Sequence, residues 1–246
     1  MDIERSRTIT LSSDKGGFGI GGLGGFQEFS PEAITYAQGI LDNLTKRAVE
    51  IGLGMKDPID NGTYGLVVGD DIKGHVPAQL LHFILNQMCL SMSRPIVDLA
   101  FVQGSYDVSV DDMAYSLDNQ IGRWKPGRNQ KVILVTESVG SGKTIRKFKD
   151  VFDKRNMAFD IATFVLARDE NRYHGWGKLT SDTRLFYPSG TVGSDETDFM
   201  AQIETVSSMF YPPNKNRGTS SFTLEVGRYV QSQLFETAYA VASAIF

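Results

Sequence analysis

The sequence lacks most of the residues that disulfide-bonded, zinc-binding and membrane proteins require. Its 246 residues include one cysteine and three histidines, so no internal disulfide can form and no histidine spacing is typical of a zinc site. No apolar run approaches the roughly 20 residues that span a bilayer. The first residues, "MDIERSRTIT", contain no apolar signal core, which predicts that the protein is not exported. We therefore expect a cytoplasmic location, no membrane partner, and a buried Cys89 within "ILNQMCLSM".

Positive charge is also scarce. The chain has 25 Lys and Arg against 29 Asp and Glu, which gives a net charge of −4. Nucleic acids and anionic lipids repel an acidic protein, so we expect no nucleic-acid partner. A hydrophobic content of 41% at this length is typical of a globular protein with its own core.

Helical and strand patterns alternate from residue 31 onward. The predicted helices are 31–54, 78–90, a segment ending at 156, 195–210 and 222–246, and the predicted strands are 63–69, 95–102, 131–137, 159–167 and 183–188. Aliphatic strands separated by helices predict an α/β fold with a mostly parallel sheet flanked by helices. Residues 70–77 are interpreted as a turn and 103–130 as a long polar connection.

Three regions follow from this pattern: an N-terminal extension (1–30), a core (31–190) and a C-terminal helical segment (191–246). A strand at 7–13 leads to "GGFGIGGLGG" (16–25) in the extension. This run has dinucleotide-like glycine spacing, but the helix begins only at Pro31, with Ser30 as its N-cap. We therefore interpret the run as a flap. The last helix is apolar enough to dock on the core or to form a homodimer.

The stretch "VILVTESVGSGKTI" (132–145) combines a buried strand, a turn of small residues and a helix. Backbone N–H groups in Gly140–Thr144 can point at one anion, and the helix dipole adds to the attraction. Glu137 stands where a triphosphate-binding P-loop has glycine. A carboxylate followed by a phosphate site indicates a ribose 5-phosphate ligand, with Glu137 accepting from sugar hydroxyls or holding a metal. The alternative is an ordinary turn rich in small residues.

This stretch resembles the signature of type I phosphoribosyltransferases, and is most similar to the hypoxanthine-guanine branch. "IKGH" (72–75) is similar to the pyrophosphate loop of that family, and "VDLAFVQGSYD" (97–107) resembles the strand before its flexible lid. The resemblance covers about residues 31–190. It implies a Mg²⁺-dependent enzyme that transfers ribosyl 5-phosphate from phosphoribosyl pyrophosphate to an acceptor and releases pyrophosphate.

The resemblance also implies roles for individual residues. The catalytic residues would be Glu137, Lys73 and the lid residue Tyr106, which follows Ser105. The 5-phosphate would bind Gly140, Ser141, Gly142, Lys143 and Thr144, and pyrophosphate would bind Lys73 and Gly74. Glu137 would also be the metal ligand. The acceptor-binding candidates are Arg168, Tyr173 and Trp176.

The sequence departs from the family pattern at three positions. Thr136 replaces the first acid of a pair, Gly140 replaces an Asp that handles the proton of the base, and Ala167 replaces a Lys that reads the purine oxygen. A 6-oxopurine acceptor is therefore not expected. The same departures leave a second hypothesis open, that of an inactive regulatory or scaffold protein of this fold that senses a nucleotide or phosphoribosyl ligand.

Two groups of charged residues have alternative interpretations. The basic residues Arg123, Lys125 and Arg128 either reach pyrophosphate from the lid or face solvent as a basic turn. Asp70 and Asp71 either support Lys73 or a metal, or are ordinary turn residues.

Overall fold

The computed structural model describes residues 29–104, 107–122, 127, 130–139, 142–166, 183–189, 194–207 and 220–245. The helices in these ranges are α1 (Pro31–Asp60), α2 (Asp71–Ser91), α3 (Val110–Ile121), α4 (Lys143–Asp153), α5 (Ser194–Ser207) and α6 (Ser221–Ile245). The strands are β1 (Tyr64–Asp70), β2 (Asp98–Val102), β3 (Lys131–Val139), β4 (Phe159–Leu166) and β5 (Leu185–Phe186). The N-terminal extension up to residue 28, with its predicted strand and flap, lies outside the described residues.

The five strands form one sheet in the order β2-β1-β3-β4-β5. Every neighbouring pair is parallel, which confirms the predicted parallel α/β architecture. From β1 the chain first moves outward to β2, and it then crosses back over β1 to β3 and continues to β5. Because the winding direction reverses between β1 and β3, a crevice opens outside the carboxyl ends of these two strands.

Helices cover both faces of the sheet. Val67, Ile133 and Val135 pack in one buried cluster with α1, α2, α5 and α6. Leu66 and Leu134 pack in a second cluster with α3 and α4. Successive strand residues point to opposite faces, so each strand contributes to both clusters, and its continuous aliphatic sequence follows from that position.

The C-terminal helix packs against its own chain. Val226, Val230 and Leu234 are fully buried in the cluster that contains the α1 and α2 side chains. One face of the apolar α6 is therefore accounted for by docking on the core. Cys89 is buried in the same cluster, as predicted. No helix in the described part of the chain is long and apolar enough to cross a membrane.

Helix α1 begins as predicted but ends later. The Ser30 hydroxyl accepts from the Ala33 N–H at 3.3 Å, and Pro31 is the first helical residue. The prediction that the helix ends near Gly54 was wrong, because it continues through Pro58 to residue 60. Met55 and Ile59 are buried on the core side of this last part, and their packing stabilises helix that the local sequence does not favour.

The predicted turn at 70–77 was also wrong, because α2 begins at Asp71, directly after β1. Gly, Pro and Asp favour turns locally, and Pro77 removes a backbone donor from the helix interior. The tertiary structure outweighs these preferences, since Val76 and Leu80 are fully buried. Gly74 also passes so close to β3 that an added Cβ would lie 3.0 Å from the Val135 carbonyl oxygen.

The segment 103–130, interpreted as a polar connection, contains helix α3. Ser109 caps it by accepting from the Asp112 N–H at 3.1 Å. Met113, Ala114 and Leu117 are buried against the sheet. Parallel neighbours require a crossover connection, which is usually a helix. The short apolar stripe of α3 among many polar residues explains why the sequence pattern missed it.

Candidate functional site

Some of the predicted site residues lie at the carboxyl edge of the sheet, where β1 and β3 end. Asp70 is the last residue of β1, and Thr136 and Glu137 lie near the end of β3. The N-termini of α2 and α4, at Asp71 and Lys143, open on the same edge. A helix N-terminus carries partial positive charge and unbonded N–H groups, so this edge suits an anion.

The N-terminus of α4 has the features of an anion site. Its N-cap is Gly142, in the left-handed conformation with φ 68° and ψ 10°, which costs glycine least. The first turn contains Lys143 and no acidic residue, so its partial positive charge is not neutralised from within. Ile145 and Phe148 are buried and attach this helix end to the sheet.

Asp70 and Thr136 form a buried polar pair beside this helix. Their exposed fractions are 8% and 5%. The Thr136 hydroxyl lies 3.2 Å from Asp70 Oδ2 and 3.2 Å from the Ser138 carbonyl oxygen. Asp70 and Thr136 have the same strand parity as Val68 and Leu134, which pack in the cluster of α3 and α4. The pair therefore lies on the sheet face that α4 covers.

Gly104, just after β2, closes one side of the pair. A Cβ at this position would lie 2.7 Å from the Thr144 methyl group and 2.7 Å from the Phe148 ring, and would overlap Asp70 Oδ1. The chain after β2, the end of β1 and the first turns of α4 thus converge on a point with no room for a side chain.

The other flank of the predicted lid is also attached to α4. The Lys147 ammonium group donates to the Val108 carbonyl oxygen at 2.8 Å. Ser105 and Tyr106 lie outside the described residues. The residues on both sides of them are therefore held next to α4.

Glu137 follows Thr136 near the end of β3. It is only 1% exposed. Its neighbours Thr136 and Ser138 pair with Thr163 and Val165 of β4, so Phe164 lies beside Glu137 in the sheet.

A buried cation is held close to this point. Arg47 of α1 is 3% exposed. Its Nη1 donates to the Phe164 carbonyl oxygen at 2.7 Å, and its guanidinium lies 4.2 Å from the centre of the Phe199 ring. Arg47 therefore places a positive charge beside β4, the strand that pairs with the end of β3.

A neutral histidine lies next to β2 at this edge of the sheet. His75, in the first two turns of α2, stacks on the Phe101 ring at a centroid distance of 3.8 Å and an angle of 13°. Its Nε2 lies 3.3 Å from Nε2 of Gln79. Burial lowers the pKa of His75 to about 4, so its imidazole is neutral at pH 7.

The structure brings some of the predicted residues together and does not describe others. Gly74 lies in the first turn of α2, where its Cβ position would be 3.7 Å from Thr136 Cα, and the backbone of Lys73 belongs to the same turn. Gly142, Lys143 and Thr144 open α4 at the same edge. Outside the described residues lie Gly140, Ser141, Tyr106, Arg123, Lys125, Arg128, Ala167, Arg168, Tyr173 and Trp176.

Sequence reasoning missed the contacts of Arg47 and Gly104. Arg47 lies three residues after Leu44 and four before Ile51, both fully buried, so a charged residue on the apolar stripe of α1 was the available indication. Gly104 had no comparable indication, because its close neighbours Asp70, Thr144 and Phe148 come from three distant parts of the sequence.

The oxygen atoms of Asp70 and Thr136 suit a metal ion that is also bound by a phosphate ligand. Within the described ranges no three His, Cys, Asp or Glu side chains are grouped closely enough to hold a metal ion. The Asp70 carboxylate and the Thr136 hydroxyl are nevertheless adjacent at this edge. Mg²⁺ is usually bound by one or two carboxylates together with substrate phosphates and water, so these residues fit Mg²⁺ on a diphosphate.

Comparisons with known proteins place few constraints on this assignment. No protein-family model matches the sequence, and no curated protein matches it. Among solved structures, one match is adenine phosphoribosyltransferase from Saccharomyces cerevisiae in complex with an imino-altritol bisphosphate and adenine. It is 12% identical, the match covers 61% of this chain and 76% of that chain, and the TM-score is 0.39. A likeness at this level assigns neither family nor function, so the functional assignment depends on the site itself.

Proposed function

We propose that the protein binds phosphoribosyl pyrophosphate and transfers its ribosyl 5-phosphate group to an acceptor, with release of pyrophosphate. One observation carries the proposal: the N-terminus of α4, opened by the left-handed Gly142, lies beside the buried Asp70–Thr136 pair at the carboxyl edge of β1 and β3. An anion site next to a carboxylate suits a ligand that offers a phosphate together with hydroxyl groups or a bound cation.

The two helix N-termini divide the ligand between them. Residues 140–144 hold the 5-phosphate at α4, while Lys73 and Gly74 hold pyrophosphate at the first turn of α2. Glu137 accepts hydrogen bonds from the ribose hydroxyls, and Tyr106 belongs to the lid that covers the ligand. Mg²⁺ neutralises charge on the diphosphate when it is bound there. Since the transition state has the character of a sugar cation, the contribution of these residues is mainly electrostatic.

The acceptor in this proposal is not a 6-oxopurine. Gly140 has no side chain to handle a proton on the base, and Ala167 has no donor for an exocyclic oxygen. The candidates for acceptor contacts are Arg168, Tyr173 and Trp176. We expect no formation of inosine or guanosine monophosphate from hypoxanthine or guanine, as measured by chromatography of the reaction mixture.

Isothermal titration calorimetry with phosphoribosyl pyrophosphate tests the binding step. We expect saturable binding that is tighter with Mg²⁺ than with a chelator. Adding candidate acceptors and assaying pyrophosphate release then tests the transfer. Failure of the wild-type protein to bind the ligand at millimolar concentration with Mg²⁺ would exclude the proposed function.

Glu137→Gln tests the assigned carboxylate. Loss of a charge-assisted acceptor is expected to weaken phosphoribosyl pyrophosphate binding about tenfold to a hundredfold. Inorganic phosphate has no ribose and should bind the variant at least as well. Glu236→Gln, an exposed position on α6, is the matched control. Equal losses for both ligands would mean that Glu137 supports only the structure of the site.

A further inference from the structure

Two carboxylates lie at the carboxyl edge of β1 and β3: Asp70 is the last residue of β1, and Glu137 lies near the end of β3. Asp70 and Thr136 face α4, whose first turn is expected to bind phosphate. A ligand phosphate at that turn is therefore on the Asp70 side of the sheet.

Contacts from three elements define where the Asp70 carboxylate lies. Its Oδ2 accepts from the Thr136 hydroxyl at 3.2 Å. Its Oδ1 faces Gly104, whose Cβ position would also be 2.7 Å from the Thr144 methyl group. Thr144 belongs to the first turn of α4. Asp70 Oδ1 and the Thr144 methyl group thus both lie next to the empty Cβ position of Gly104, so the carboxylate is close to the first turn of α4.

A carboxylate so close to an anion site repels a bare phosphate. The repulsion is strong here because Asp70 is buried and poorly screened by water. The arrangement becomes favourable when the phosphate ligand also presents a hydroxyl donor or carries a divalent cation, since both interact well with a carboxylate. Asp70 therefore selects among phosphate ligands.

We propose that Asp70 is a second carboxylate, in addition to Glu137, that recognises the ribose hydroxyls, or the Mg²⁺, next to the 5-phosphate, and that Thr136 orients it. This inference depends on the proposed function and adds a specificity-determining residue to it. Thr136 is the position at which the sequence lacks an acid. Asp70, from the neighbouring strand, places a carboxylate within hydrogen-bonding distance of that position.

Asp70→Asn is the direct test, because it removes the charge with little change in shape, and the Thr136 hydroxyl can still donate to the amide oxygen. Binding is measured by calorimetry with phosphoribosyl pyrophosphate, with and without Mg²⁺, and with inorganic phosphate alone. We expect Mg²⁺-dependent affinity for phosphoribosyl pyrophosphate to fall about tenfold to a hundredfold. Inorganic phosphate without metal should bind several-fold more tightly, because a repulsive charge has been removed.

Two further variants make the test specific. Thr136→Val is isosteric and keeps the Asp70 charge, so we expect a smaller loss, about threefold to tenfold, from the lost orienting hydrogen bond. Asp98→Asn changes an exposed carboxylate at the amino end of β2 and is expected to bind all ligands as the wild type does. Thermal melts of the three variants establish that they are folded.

The outcomes separate this inference from the proposed function. If wild-type protein binds phosphoribosyl pyrophosphate with Mg²⁺ and Asp70→Asn binds it equally well, the role of Asp70 is refuted while the function stands. If wild type binds inorganic phosphate but not phosphoribosyl pyrophosphate, the function fails. In that case tighter phosphate binding by Asp70→Asn would still support the placement of its charge beside the anion site.

Discussion

Gly104→Ala tests the convergence of β1, the chain after β2 and α4. The added methyl group would lie 2.7 Å from both the Thr144 methyl carbon and the Phe148 ring, and would overlap the Asp70 carboxylate. Phe148 is fully buried, so it can yield little. Overpacking of this kind costs about 1–3 kcal/mol of unfolding free energy. For a chain of this length each kcal/mol lowers Tm by about 2–4 °C, which predicts a decrease of roughly 2–12 °C.

The matched control is Gly39→Ala on α1, because within the described residues no atom outside the backbone of its own helix and its chain neighbours lies within 4 Å of its Cβ position. It should raise the unfolding free energy by about 0.5–1 kcal/mol through helix propensity. Both variants are measured by urea unfolding followed by circular dichroism. Adding Thr144→Ser to Gly104→Ala removes one clashing methyl group and should recover part of the loss. Gly104→Ala with wild-type stability would refute the close packing around Asp70.

Two other predictions concern Asp160, which is buried, and His75, which is half-buried. Asp160, at the amino end of β4, accepts hydrogen bonds from the Tyr64 hydroxyl at 2.9 Å, the Lys131 ammonium group at 3.0 Å and the Arg184 backbone N–H at 2.9 Å. Asp160→Asn should therefore lower the unfolding free energy, measured in urea, by about 2–4 kcal/mol. A loss no larger than that of Asp98→Asn would contradict this role. His75 has a pKa of about 4 in the folded protein, below its value near 6.5 in the unfolded chain. Between these two pH values the unfolded state binds more protons than the folded state. The stability of the protein should therefore fall as the pH decreases from 6.5 to 4. The fall attributable to His75 is about 1–2 kcal/mol after allowance for solvent screening, and His75→Gln should remove it; identical pH profiles for the variant and wild type would show that the imidazole is not desolvated.

The fold class and the order of most elements could be predicted from the sequence because they depend on local patterns. Continuous aliphatic runs such as 131–137 identify strands that are buried on both faces. Ser30 and Pro31 predict the start of α1, since capping depends on a few neighbouring residues. The alternation of these strands with amphipathic helices predicts the parallel sheet, and the small residues before Lys143 predict an anion site at a helix N-terminus.

Only the tertiary structure decided where a helix forms against the local turn preferences of the sequence, and which side chains contact each other. Residues 70–77 read as a turn, yet they begin α2 because burial of Val76 and Leu80 outweighs the preferences of Gly74 and Pro77. The position of the two carboxylates was likewise decided in three dimensions. Only the pairing of β1 with β3 brings Asp70 to Thr136, which precedes Glu137 in the sequence. Contacts between residues 66 positions apart depend on strand order and register, which are properties of the whole sheet and not of any short segment.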